Sequence, residues 1–389
     1  MRHYIFTVLY FFTFTVVFSQ GINRYEVQFI KNKDSAYVNL NLRIDKDYSR
    51  RTYFLLSEII TIQEVRADNK LVHYSRIEDT IFIQNITEIT DIELKYVIPL
   101  NYYSQDGAFL LRRENKWYPY RNDELLTANV YITDSSYYIV CGQDKNTHHQ
   151  VDVSNEIHLF LLSKEVYDKT ILTGKNIPFY FYRNKKDTSS REDAYFMEFI
   201  NSYDYYVSFF DADLSNQSLH IVEIFNKDFQ MCQSLKNAII FGSIFYQIYL
   251  LTPLYSWISH EIAHQWWGNT LFFERGINRL FMEESITEYI KIQYIKHKKN
   301  GYKDLMELYS ENISKIENKI PIRDITNLHS QDNAMIIYNL VPFKLEKIAA
   351  LHPEYEINEF IKNVFKTYKK QMINNELFTT IENLLLEND

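Results

Sequence analysis

Along the first half of the chain, apolar residues recur at every second position. "SAYVNLNLRI" puts Ala36, Val38, Leu40, Leu42 and Ile44 on one face, with mainly polar residues opposite. "DIELKYVIPL" repeats the pattern with Ile92, Leu94, Tyr96 and Ile98, and "ANVYITD", "EIHLFLL" and "IPFYFY" read as further strands. Period-two alternation of this kind predicts an antiparallel sheet system, a sandwich or saddle, that ends near Tyr182. The charged, polar run "RNKKDTSSRED" (residues 183–193) then has no apolar periodicity and reads as a linker. Beyond it, "SLHIVEIF" and "NAIIFG" read as strands, and from about Leu254 the pattern becomes helical. In "FMEESITEYIKIQYIKHKK", Phe281, Ile286, Tyr289, Ile290 and Ile292 cluster on one side, and "INEFIKNVFKTYKK" and "ELFTTIENLLL" close the chain as amphipathic helices. The pattern predicts an α+β protein: an antiparallel β domain over 20–190, then a mostly helical domain over 191–389.

The first nineteen residues depart from this pattern. A basic start (Arg2, His3) precedes about fifteen apolar or Thr residues, and Val17 and Ser19 suit the small-residue positions before a cleavage site. A spanning helix needs about twenty apolar residues, so residues 1–19 read as an export signal and no membrane span is expected after its removal. Composition then narrows the function. The formal net charge of −8 offers no basic surplus, so a nucleic-acid partner is not expected. "KHKKNGYK" is the densest basic run and reads as the solvated end of a helix. The two cysteines, Cys141 and Cys232, could pair or remain free thiols; their spacing does not decide.

The chemistry gathers in "HEIAHQWWGNTLFFERGINRLFMEE", His260 to Glu284. On a helix, positions i and i+4 share a face, so His260 and His264 can present two imidazoles to one ion. Glu261 lies one step round, able to reach a metal-bound water without binding the metal. Eighteen residues separate His264 from Glu283, enough for the chain to leave the helix, reverse near Gly268 and Gly276, and supply a third ligand. Two His and one Glu with an open fourth position form a catalytic zinc arrangement.

This pattern, H-E-x-x-H, eighteen residues and then a glutamate, is that of the gluzincin metallopeptidases, and "HEIAHQWWGN" resembles the membrane alanyl aminopeptidase family, which includes leukotriene hydrolase. The resemblance covers most of the chain after residue 19, and "WYPY" at Trp117–Tyr120 is similar to a segment of the family's N-terminal β domain. It implies a thermolysin-like catalytic domain, Zn2+ as cofactor, and His260, His264 and Glu283 as its ligands. It further implies Glu261 as the general base that activates water, and Tyr338 in "AMIIYNL" as the hydroxyl that stabilises the oxyanion. The sequence ends soon after these helices, so a compact member without the large C-terminal helical domain of longer relatives is expected.

Three departures from the family pattern bear on specificity. The G-x-M-E-N strand, whose glutamate binds the substrate's amino terminus, corresponds to "SLKN", with Lys236 at the glutamate position and Asn237 following. The W-x-x-E-G around the third ligand reads "LFMEE", with Leu280 and Glu284 in place of Trp and Gly. Leu340 and Val341 replace the lysine and glycine after the tyrosine. A lysine at 236 facing the cleft would repel a substrate's amino group, and it would need an acidic partner such as Glu223 or Glu284. The expected activity is therefore zinc-dependent hydrolysis of a peptide or protein substrate with altered amino-terminal recognition. The alternatives are an ordinary aminopeptidase and a non-catalytic peptide-binding relative; the complete set His260, Glu261, His264 and Glu283 argues against the last, since a scaffold has no need of Glu261.

The export reading is checked by mass spectrometry of the mature protein, which should begin near Gln20. An intact Met1 recovered from the membrane fraction would contradict it.

Overall fold

The computed structural model describes residues 22–387, apart from segments 45–52, 84–89, 189–192, 215–217, 253–256, 275–278, 354–355 and 374–375 and single positions 123, 133, 213, 227, 319, 326 and 329. The reading of residues 1–19 as an export signal falls outside them. Strands β1 (Ile22–Asn32), β2 (Ser35–Ile44), β3 (Thr61–Ala67) and β4 (Thr90–Pro99) form the centre of the largest sheet. β5 (Ala108–Leu111) belongs to a second sheet, while β6 (Leu125–Tyr131) and β7 (His149–Ser154) extend the first, giving the order β7-β6-β1-β2-β4-β3. Neighbours are antiparallel except β1 and β6, which pair in parallel.

The alternation predicts the buried face correctly. Ala36, Val38, Leu40, Leu42 and Ile44 are all buried in one core cluster, facing the same side as Ile92, Leu94, Tyr96 and Ile98. Trp117 fills the centre of this cluster with its indole N–H donated to the Ile157 carbonyl at 3.0 Å and its ring edge-on to Phe29 and Tyr118. A buried indole needs such a partner, because an unpaired N–H in an apolar core costs free energy. Cys141 lies in the same core as a free thiol, and Cys232 is a second free thiol in the other half of the molecule.

The boundary expected at 190/191 does not separate the sheets. β8 (Leu159–Ser163) pairs with β5, and β9 (Tyr167–Thr173) and β10 (Pro178–Asn184) open a new five-stranded sheet. α1 (Asp193–Phe210) leads to β11 (Leu219–Ile224), which pairs in parallel with β10. The polar run 183–193 thus spans the end of β10 and the start of α1 in a β-α-β unit, and between them Lys185, Lys186 and Thr188 are exposed. A hairpin of β12 (Cys232–Leu235) and β13 (Ala238–Gly242) completes the sheet in the order β9-β10-β11-β13-β12, with β12 at the edge. A third cluster, Ala108, Leu110, Phe160 and Leu162 against Tyr182, Val222, Leu235 and Ile240, glues the β5–β8 sheet to this one.

Helices dominate the remainder, with one short parallel pair, Phe272–Phe273 against Met372–Ile373. α2 (Trp257–Ala263) carries the first histidine, α3 (Ile286–Lys298) runs beside it, and α4 (Tyr302–Ser314) and α5 (Val341–Leu351) pack outside. Every residue of α3 from Ile286 to Ile295 is buried, including Thr287, Glu288, Lys291 and Gln293. The one-sided pattern expected for this segment understates it: α3 is enclosed all round, and its polar positions pair inside the protein. Among the described residues, no helix is long and apolar enough to cross a membrane.

Candidate active site

α2 ends in a tight turn in which His264 N–H reaches the His260 carbonyl, so the two imidazoles stand one turn apart with ring centroids 4.7 Å apart. Each imidazole is fixed through its Nδ1. His260 Nδ1 meets the Glu288 carboxylate at 2.7 Å, and His264 Nδ1 meets the Trp267 carbonyl at 3.0 Å and the Thr287 hydroxyl at 3.3 Å. Glu288 is held in turn by Lys291 and Tyr309. Backing the Nδ1 positions leaves both Nε2 atoms free to converge, as the outer partners of metal-binding histidines do.

The Nε2 atoms lie 3.1 Å apart, and the carboxylate that joins them is Glu284, its Oε2 3.2 Å from His260 and 3.5 Å from His264. Glu283, expected as the third member, turns away to pair with Arg279 at 2.8 Å. Nineteen residues separate His264 from Glu284, one more than the pattern counted from the sequence. The difference falls in a π-helical stretch, Phe281–Ser285, that leads into α3. A π turn holds one residue more than an α turn and so rotates the residues beyond it. With Glu284 in the ligand position, Phe281 and Ser285 fall where the family pattern has its Trp and Gly. That one-step shift is the signal the sequence offers.

The three ligand atoms lie within 4.8 Å of one another. Four ligands about 2.1 Å from a zinc ion stand about 3.4 Å apart in a tetrahedron, so the observed separations of 3.1 to 3.5 Å suit that ion. Burial opposes charge on His260, but the Glu284 and Glu288 carboxylates outweigh it and push its pKa up to about 10. Burial likewise opposes charge on Glu284, and the two histidines outweigh it and hold the carboxyl well below its usual range. Dense negative charge around two imidazoles is what a dication would neutralise.

The fourth side of this group opens on a cleft of about 960 Å³ between the two halves of the molecule. Glu261 lines it, buried at 9 % exposure, and the Cys232 thiol lies against it; burial and then the Glu261 charge keep that thiol protonated. Tyr338, also in a π-helical stretch (Ile336–Leu340), lines the cleft and donates its hydroxyl to Glu284 at 2.9 Å. Burial, reinforced by the Glu284 charge, raises its pKa far above the ordinary phenol value, so it remains a donor.

Lys236 and Asn237 do not belong to this cleft. They form the two-residue turn between β12 and β13, and the cleft is lined by Cys232, Gln233, Ser234 and Leu235 before them. Asn237 has a φ of 64° and donates its N–H to Gln265 at 2.9 Å. Lys236 is 4 % exposed and reaches across to the β domain, where it donates to the Val153 carbonyl. Burial draws its pKa down to about 8 against the attraction of Asp152, which is its counter-charge in place of Glu223 or Glu284. The turn projects a long side chain toward the neighbouring domain, so Lys236 ties the two halves together.

Paired imidazoles and a carboxylate on two helices, beside a second carboxylate in an interdomain cleft, define a zinc-peptidase type of centre. Residues 248–388 match the Peptidase family M1 domain. That match is in line with the resemblance carried by "HEIAHQWWGN". The fold is similar to that of the M1 zinc metallopeptidase from Deinococcus radiodurans, with a TM-score of 0.68, 9 % identity, and 94 % of this chain and 90 % of that one covered. A mutant of the same enzyme bound to a Tyr-Ser-Ala substrate gives a TM-score of 0.66 at 10 % identity, over 94 % and 90 % of the two chains. No curated protein matches the sequence.

The placement of Lys236 is checked by Lys236→Met. Removing the ammonium leaves a buried acceptor without its partner, and unfolding in urea should show a loss of about 1–3 kcal/mol. An unchanged midpoint would mean that the lysine does not join the domains.

Proposed function

We propose that the chain hydrolyses peptide bonds at a zinc ion held by His260, His264 and Glu284, with Glu261 as general base and Tyr338 as oxyanion donor. The observation that carries this is the convergence of three ligand atoms on the open floor of a cleft, with Glu261 on the adjacent helical position. When bound, zinc supplies Lewis acidity that polarises a carbonyl and acidifies a water. The chain's own residues do the rest. Glu261 faces the cleft, takes the water proton and returns it to the leaving amine. Tyr338 turns its O–H from Glu284 to the oxygen on which charge develops. Glu288, Lys291 and Tyr309 hold His260 in one orientation throughout. The peptide bound to the Deinococcus radiodurans relative supports a peptide as the substrate here.

Lys236 neither anchors nor repels an amino terminus in this reading, because its ammonium is committed to Val153. The argument for impaired recognition of a free amine therefore loses its basis. The opening residues support export as the setting, with the peptide met outside the cytoplasm.

Two measurements check the assignment. Glu284→Ala should lose zinc at a chelator concentration that leaves the wild type loaded, while Glu283→Ala should retain it. Loss in Glu283→Ala alone would reverse the ligand assignment. Glu261→Gln should keep zinc and lose hydrolysis by about two orders of magnitude or more, and Tyr338→Phe should show a smaller loss, mainly in kcat. Turnover of Glu261→Gln equal to wild type would exclude the general-base role.

A further inference from the structure

Behind the metal group, the cleft has a second wall made by the β domain. Asn155 and Glu156, in the loop between β7 and β8, line it opposite α2 and α3. Glu156 is 8 % exposed, yet its carboxylate makes no hydrogen bond or ion pair with any described residue; only its backbone N–H is engaged, with Ser154. A carboxylate that is nine-tenths buried and unpartnered is costly, so its retention needs a reason.

The nearby cations do not supply one. Arg113 donates to the carbonyls of Asn155 and Arg121, Arg112 is held by Gln233 and Met231, and Arg279 is paired with Glu283. Lys291 serves Glu288. Apart from the residues of the metal group, the cleft wall carries Glu114, Glu156 and Glu283, and of these Glu114 accepts from Gln233 and Glu283 from Arg279. Glu156 is the carboxylate left over.

We propose that Glu156 is the counter-ion for a cationic group of the peptide substrate, and so the residue that sets the cleft's preference for charge. This rests on the hydrolase reading above. The ligand chemistry is a primary ammonium or guanidinium, supplied by a free amino terminus or by a basic side chain. Burial and then Glu114 push the Glu156 carboxyl up to about 7 against the pull of the arginines, and a cation drawn into the cleft relieves both.

The test pairs peptides that differ in one charge: free against acetylated amino terminus, and lysine against norleucine at an inner position. Hydrolysis is measured as kcat/KM on the zinc-loaded wild type, and binding is measured calorimetrically on Glu261→Gln. One pair should favour its cationic member by about ten- to hundredfold, and the pair that does so identifies the source of the charge. Glu156→Gln should abolish that preference with zinc content and neutral-peptide rates unchanged, and Glu156→Asp should keep part of it. A preference of full size in Glu156→Gln would overturn the assignment. So would a wild type that cleaves both members of each pair equally, an outcome that leaves the hydrolase reading intact. A zinc-loaded wild type that neither binds nor cleaves any of the four peptides would contradict both.

Discussion

The hydrogen bond between His260 Nδ1 and Glu288 is the contact on which the site depends. It is 2.7 Å long, is buried, and joins the short helix α2 to the central helix α3. A helix as short as α2 has little stability of its own, so its orientation comes from what it touches. Glu288 is fixed by Lys291 and Tyr309, and that fixation passes through the His260 ring to its Nε2 atom. Glu284 lies one turn before Glu288 on the same continuous helical segment. One carboxylate therefore aims the imidazole while the other meets it, and the geometry of the metal group is set by the spacing along a single element.

A buried arrangement of this kind stands only because each charge is answered. The two imidazoles are answered by Glu284 and Glu288, Glu288 by Lys291, and Glu283 by Arg279. Removing one partner would strand the other in a low-dielectric interior, which costs far more than a surface pair contributes. Lys236 obeys the same rule at the domain boundary: it is buried, it finds a carbonyl, and it has Asp152 nearby. Glu156 is the exception in the cleft wall: no described side chain pairs with its carboxylate.

Much of this is legible in the sequence, and the rest is hidden for identifiable reasons. Alternation gives the buried faces of β2 and β4 residue by residue, because a one-sided sheet leaves a period of two in its apolar positions. The i, i+4 spacing places His260 and His264 together, since local helical geometry alone decides it. The glutamate that meets the two histidines is Glu284, one position beyond the one that the family spacing selects, and it lies in the π-helical stretch Phe281–Ser285. Lys236 escapes the motif because residue type and position do not tell which way a turn projects. Glu288 is legible in principle, four residues after Glu284 and thus on its face of the helix. Glu156 is not, since its place opposite the metal group arises only when the β domain docks on the five-stranded sheet. The pairing of β10 with β11 is hidden for the same reason: strand partners are long-range facts, and a polar connection looks the same within a domain as between two.

The account turns on which neighbouring glutamate faces the histidines. Anomalous diffraction at the zinc absorption edge, from crystals of the zinc-loaded protein, tests it most directly. The prediction is one peak bonded to His260 Nε2, His264 Nε2 and a Glu284 carboxylate oxygen, with Glu283 remaining on Arg279. A peak bonded to Glu283, or no peak between the two histidines, would contradict it.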